Sequence, residues 1–122
     1  MADTPAATDA PRARVRVHLG PELMLGPGKA ELLEGIAATG SIAEAGRRMG
    51  MSYQRAWSLV STLNAGFAEP LVERRRGGSG GGGARLTRGG ERVLEIYRAI
   101  EHDCQRAVDK RAAALAVLRD GG

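Results

Sequence analysis

The stretch SIAEAGRRMGMSYQRAWSLVSTL, residues 41–63, decides the fold. Its first four residues, Ser41-Ile42-Ala43-Glu44, form a capping box. The serine oxygen can accept from the backbone N–H of Glu44, and the glutamate can reach back to the N–H of Ser41. The helix they open runs to about Met49 and stops at Gly50. Ser52 offers a second N-cap, after which Ala56, Leu59, Val60 and Leu63 recur at the i, i+3, i+4, i+7 spacing of a helix with one apolar face. Gly46 stands where the two helices would cross closely, and Met49, Met51, Ala56 and Leu59 supply apolar contacts inside the angle. Two short helices joined around a glycine predict a helix-turn-helix.

Upstream, residues 1–11 hold Ala, Thr, Pro and Asp with little to bury, and are expected to form a disordered tail. Arg14 to Leu19 alternates polar and apolar residues, the pattern of a half-buried strand, closed by Gly20-Pro21. A first helix is expected over residues 28–38, with Leu32, Leu33, Ile36 and Ala37 as its apolar stripe and Glu31 and Glu34 outside it. Thr39-Gly40 ends it, because glycine tolerates the left-handed conformation of a C-cap.

Downstream, Asn64-Ala65-Gly66 closes the third helix. Pro70 to Arg75 and Ala84 to Thr87 read as two strands, and the glycine-rich run 77–83 between them reads as a flexible tip rather than packed strand. A hairpin directly behind a helix-turn-helix is a wing, here with arginines at its base and on both arms. A last helix starts near Thr87, a possible N-cap, and runs to about Leu118. Val93, Tyr97, Ile100, Cys104 and Ala107 follow the 4-3-4-3 spacing of a helical seam. A helix of ~30 residues spans ~45 Å, too long to bury against so small a body, so its expected partner is the same helix of a second subunit. The domain boundaries that follow are a tail at 1–11, a winged helix-turn-helix at 12–87, a dimerisation helix at 88–118 and a C-terminal tail at 119–122. The fold class is mainly α with a small β wing.

Composition narrows the function. Aromatic residues make up 3% of a chain that is 43% hydrophobic, so the core must be aliphatic. No apolar stretch approaches the ~20 residues of a membrane helix, and a single cysteine, Cys104, cannot form an intrachain disulfide. His18, His102 and Cys104 are too scattered for a zinc site. The expectation is a cytoplasmic protein, with no metal and no cofactor. The formal charge is +4, but residues 47–88 alone carry eight arginines against Glu69 and Glu73, a net of +6. That concentration suits a polyanion, and arginine suits bidentate contacts to phosphate or guanine.

The candidate contacts to double-stranded DNA are therefore specific. Arg47, Arg48 and the backbone amides near Ser41 would hold phosphate. Tyr53, Gln54, Arg55 and Ser58 face away from the apolar stripe and would enter the major groove, where arginine can bridge guanine O6 and N7 and glutamine can bridge adenine N6 and N7; Ser52, the N-cap, is a further candidate DNA contact. Arg74, Arg75, Arg76 and Arg85 of the wing would track the backbone or the minor groove. Trp57 adjoins both faces, and its indole either packs at the edge of the core or meets a DNA backbone. The glycine run is no Walker loop, since no lysine follows it. Glu101-His102-Asp103-Cys104 cannot converge on a metal, because consecutive residues of a helix point in different directions. Nothing pairs an acid with a base or activates a nucleophile, so no catalytic residue is assigned and an enzyme is not expected.

Four segments carry a family resemblance: Gly40-Ser41-Ile42; Gly50-Met51-Ser52-Tyr53 with Ala56-Trp57; Glu69-Pro70-Leu71-Val72-Glu73-Arg74; and GSGGGGARLT, residues 78–87. Over about residues 14–118 the chain resembles the N-terminal DNA-binding domain of the molybdate-responsive ModE regulators, a winged helix related to that of the LysR-type regulators. The resemblance implies a homodimer joined through long helices, with helix-turn-helix and wing on an operator. Molybdate-sensing members carry C-terminal oxyanion-binding domains with a Ser-Ala-Arg-Asn signature. This sequence has none up to Gly122, so direct sensing of molybdate is not expected, while a role in the control of molybdenum-related genes stays open. Two other readings stay open on the residues alone: a winged helix that docks another protein, and an oxyanion-binding protein that uses the basic wing.

Overall fold

A computed structural model describes residues 10–78 and 81–121, with no account of the side chains of residues 76–78, 81 and 82. Residues 1–9 and 122 of the expected tails, the tip residues Ser79 and Gly80, and the side chain of Arg76 therefore lie outside the described residues. The elements in order are β1 (Val17–His18), β2 (Met24–Leu25), α1 (Pro27–Thr39), α2 (Ile42–Arg48), α3 (Tyr53–Gly66), β3 (Val72–Gly78), β4 (Gly81–Leu86) and α4 (Arg88–Asp120). This is a winged helix, mainly helical with one small hairpin wing. The chain divides into two compact units, one over Arg16–Tyr97 and one joining Arg98–Gly122 to Met1–Val15.

In the larger unit three helices enclose an aliphatic core. Ala30, Leu32, Leu33 and Ile36 of α1, Ile42 and Ala45 of α2, and Ala56, Val60 and Leu63 of α3 are all buried. Leu71 and Val72 at the start of β3 join them, as do Ala84 and Leu86 of β4. Ala37, expected in the α1 stripe, is exposed, and Ala30 takes the inward position instead. Leu59 is only half-buried. The caps explain where the helices begin and end. Ser41 accepts from the N–H of Glu44 at 3.0 Å and Ser52 from that of Arg55 at 3.1 Å, while Gly40 and Gly50 take the left-handed conformation at φ 72° and 74°. Only half of the expected capping box forms. The N–H of Ser41 donates to Thr39 Oγ1 at 3.2 Å, and the Glu44 carboxylate pairs with Arg47 instead.

The strands depart furthest from the alternation in the sequence. Only Val17 and His18 of the expected Arg14–Leu19 strand pair, in antiparallel register with Leu25 and Met24. A two-residue ladder gains little from extension once Gly20-Pro21 turns the chain. The wing is longer than expected. Gly77, Gly78 and Gly81 to Gly83 belong to its two strands rather than to an unpaired tip. Pairing is a backbone affair, so a ladder that begins Val72↔Leu86, Glu73↔Arg85, Arg74↔Ala84 can run on through glycines; an irregularity falls between Arg75 and Gly78. The hairpin is seated on the end of α1, where Ala84 N–H donates to Gly40 O at 2.9 Å. A Cβ on Gly83 would stand 2.7 Å from that same oxygen.

In the smaller unit, the 98–120 part of α4 carries the segment that precedes β1. Gln105 accepts from Ala13 N–H at 2.9 Å through Oε1 and donates to Pro11 O at 3.3 Å through Nε2. Pro11, assigned to the disordered tail, is thus held against a helix. That helix ends at Asp120, two residues past the expected limit.

Gly90 and Gly28 test this packing in opposite directions. A Cβ on Gly90 would lie 2.1 Å from the Leu71 carbonyl oxygen, whereas one on Gly28 meets nothing within 4 Å. Gly90→Ala should therefore destabilise the protein by about 2 kcal/mol or more through overpacking against backbone. Gly28→Ala should stabilise it by about 0.5 kcal/mol by restricting the unfolded chain. Thermal unfolding of the two variants beside the parent chain checks both signs.

Candidate nucleic-acid interface

The exposed face of α3 is built by the helix that its buried face anchors. With Ala56, Val60 and Leu63 fully inside, helical geometry turns Gln54, Arg55 and Ser58 to solvent, and Tyr53 is 44% exposed. The hydroxyl of Ser52 caps the helix, so the serine serves first to fix where the exposed face begins. Ser41 has the same duty for α2. Gly46 allows α2 to cross α3 closely: a Cβ there would stand 2.8 Å from that of Ala56. That contact sets the angle at which α3 is presented.

The basic residues expected to act together divide into distinct environments. Arg55 and Arg75 are exposed, and their side chains make no hydrogen bond or ion pair among the described residues. Arg85 pairs with Glu73 across the hairpin at 2.7 Å, and Arg47 pairs with Glu44 one turn away. Both pairs are exposed, where competition with water keeps them weak. The guanidinium of Arg74 lies over the ring of Trp57, 5.0 Å from its centroid. Arg48 lines a shallow cavity of about 290 Å³ with Glu31, Glu34, Gly35, Ala38, Ala45 and Met49. None of those residues comes from α3, so Arg48 is set apart from the exposed helix face. Trp57 is half-buried at the edge of the core, with one ring face under the wing.

Asn64 is the residue that sequence reasoning missed. It lies within α3, which continues through Gly66, and its carboxamide binds the start of the wing. Oδ1 accepts from the N–H groups of Leu71 at 2.8 Å and Val72 at 3.1 Å, while Nδ2 donates to Val72 O at 3.0 Å. No side-chain pattern could have announced it, because all three partners are main-chain groups seven and eight residues away. Thr87, read as an N-cap, does accept from Gly90 N–H at 3.0 Å. It also ties the end of β4 to the start of β3, its N–H donating to Leu71 O at 2.9 Å.

On α4 the seam residues differ in their surroundings. Tyr97 is 1% exposed and belongs to the core of its own chain, a correction to its reading as an interface residue. Val93, Ile100 and Cys104 are half-buried, and Ala107 is exposed. Leu115 and Leu118, at 69% and 77% exposure, continue the side marked by Ile100, Cys104 and Ala107 when residues are advanced by 100° each. Among the described residues no cluster of His, Cys, Asp or Glu is placed to hold a metal ion, and no helix is long and apolar enough to cross a membrane.

Comparison with known proteins gives this geometry its context. Residues 28–91 match the bacterial regulatory helix-turn-helix proteins of the lysR family. The chain is 39% identical over 90 residues to the molybdenum transport protein ModE of Azotobacter vinelandii, covering 74% of this chain and 33% of that protein. It is 40% identical over 93 residues to the DNA-binding transcriptional dual regulator ModE of Escherichia coli K12, covering 76% and 36%. To the molybdenum-pterin-binding protein MopA of Rhodobacter capsulatus it is 42% identical over 84 residues, covering 69% and 32%. The chain thus spans about a third of the length of the curated relatives it matches. Among solved structures it is similar to the CbnR_DBD–DNA complex, with TM-score 0.56 and 26% identity over 72% of this chain and 95% of that one. It is also similar to full-length CbnR complexed with its target DNA, with TM-score 0.55 and 25% identity over 71% and 28%. The chain belongs to the lysR family of bacterial helix-turn-helix regulatory proteins, and its helix-turn-helix and wing form a domain of the ModE N-terminal, DNA-binding kind.

Proposed function

We propose that this protein is a homodimeric, sequence-specific DNA-binding regulator of transcription that acts on molybdenum-related genes. The observation that carries the reading is the exposed face of α3, where Gln54, Arg55 and Ser58 face solvent, with an exposed Arg75 on the wing. Gln54 and Arg55 supply the bidentate donors that distinguish bases in the major groove, and Tyr53 and Ser58 supply hydroxyls for phosphate. Arg47 and Arg85 exchange their exposed carboxylate partners for phosphate on binding, and Arg76 extends the same strand. The ModE relatives, one of them a DNA-binding transcriptional regulator and another a molybdenum transport protein by name, support the link to molybdenum.

The second copy is argued from α4. Ile100, Cys104, Ala107, Leu115 and Leu118 lie along one side of the helix, and the last two are largely bare in the single chain. An apolar side of this length is stable in water once another helix covers it. A dimer also gives the operator two half-sites, and the second contact then forms at a high effective concentration.

Three outcomes follow. Affinity for duplex DNA should fall steeply with salt: about six phosphate contacts per dimer give a slope of log affinity against log salt of about −5, and a flat response contradicts the reading. Arg55→Ala should cost about 1–3 kcal/mol on the cognate site and relax one base position, whereas Arg75→Ala should weaken all sequences alike. Competition on a randomised site separates the two. Ile100→Asp should give a monomer by light scattering and lose most operator affinity, because two carboxylates would meet in an apolar interface. An intact Ile100→Asp dimer would move the interface elsewhere.

A further inference from the structure

Asn64 and Trp57 lie seven residues apart on α3, so they share one stripe of that helix. Val72 and Arg74 lie two apart on β3, so they share one face of the wing. The helix meets the strand at two points, one on its main-chain edge and one on that face. The Asn64 carboxamide binds the N–H and C=O of Val72 as a neighbouring strand would, adding the N–H of Leu71. About two turns nearer the start of the helix, the Trp57 ring lies under Arg74. The bond from Ala84 N–H to Gly40 O seats the hairpin on α1, and these two contacts fix it against α3. Strand alternation turns Arg75 to the face opposite Arg74, so the residue that the clamp leaves free is the one available to a phosphate.

We propose that Asn64 and the Trp57–Arg74 pair are positioning residues for DNA binding: they lock the wing to the recognition helix, so that the wing arginines meet the backbone at a fixed offset from the bases read by α3. Arg74 acts through Trp57, and Arg75 acts on phosphate. The inference rests on the DNA-binding reading above. It matters because a phosphate contact strengthens binding in proportion to how little freedom is lost in making it, and a hairpin held at both points has already lost that freedom.

The test is a double-mutant cycle on duplex DNA with Asn64→Ala and Arg75→Ala, with thermal unfolding followed in parallel. Asn64→Ala should weaken binding on the order of tenfold and flatten the salt slope by about one, as Arg75→Ala does, and the double variant should lose little more than either single one. Additive losses overturn the proposal, since Asn64 would then be acting independently of the wing. If Asn64→Ala does not fold, Trp57→Leu replaces it in the same cycle, with Trp57→Phe expected to restore binding because a ring remains under Arg74. Trp57 is the sole tryptophan, so its fluorescence emission reads the clamp without DNA. Asn64→Ala and Arg74→Met should shift that emission alike, and an emission unmoved by both overturns the clamp. Should the parent chain bind no duplex, the DNA reading fails alone and the emission still decides whether the clamp exists.

Discussion

The peptide groups flanking Leu71 are where this domain is joined. The Leu71 N–H is taken by Asn64 of α3, and its C=O is taken by the N–H of Thr87, where the wing returns and α4 begins. The side chain is 2% exposed. Gly90 sits so close to the same carbonyl that any side chain there would collide with it. Recognition helix, wing and the first turn of the last helix therefore share one buried residue, and none of the three can shift without breaking a hydrogen bond inside the protein. Such bonds are costly to leave unmade, which gives the junction its rigidity.

That junction explains why the exposed residues can be sparse and still form a surface. Arg55 and Arg75 come from different elements, and the offset between those elements is fixed by other residues: Asn64 and Trp57 on α3, and Leu71, Val72 and Arg74 at the start of the wing. The exposed ion pairs of Arg47 and Arg85 contribute little to holding the fold together. They hold their guanidinium groups beside a carboxylate at the surface, at little cost to separate.

Much of this was legible in the residues. Helix starts were readable because a cap is a local event: Ser41 and Ser52 bind N–H groups three residues on, within the reach of a pattern. The buried stripe of α3 was readable for the same reason, since periodicity reports burial directly. The glycine strands were not, because pairing in a hairpin rests on main-chain groups that every residue carries, and strand propensity is blind to them. Asn64 was hidden likewise. Tyr97 misled in a different way: its spacing is equally that of a seam and of a core, and only the enclosure around it separates the two. Arg47 and Arg48 are adjacent on α2 and diverge by about 100°; both are exposed, and Arg48 lines a shallow cavity with Glu31 and Glu34 of α1.

The segment before β1 has a consequence for stoichiometry. It is strapped to α4 by Gln105, on the side of the helix that also carries Asp109 and the buried Ala112. At 100° per residue that side faces away from Ile100, Cys104, Ala107 and Leu118. A long helix with two sticky sides can recruit neighbours on both and build bundles of three or four. Here one flank is upholstered by Pro11 to Ala13 of the same chain, which leaves that flank unavailable to a second helix.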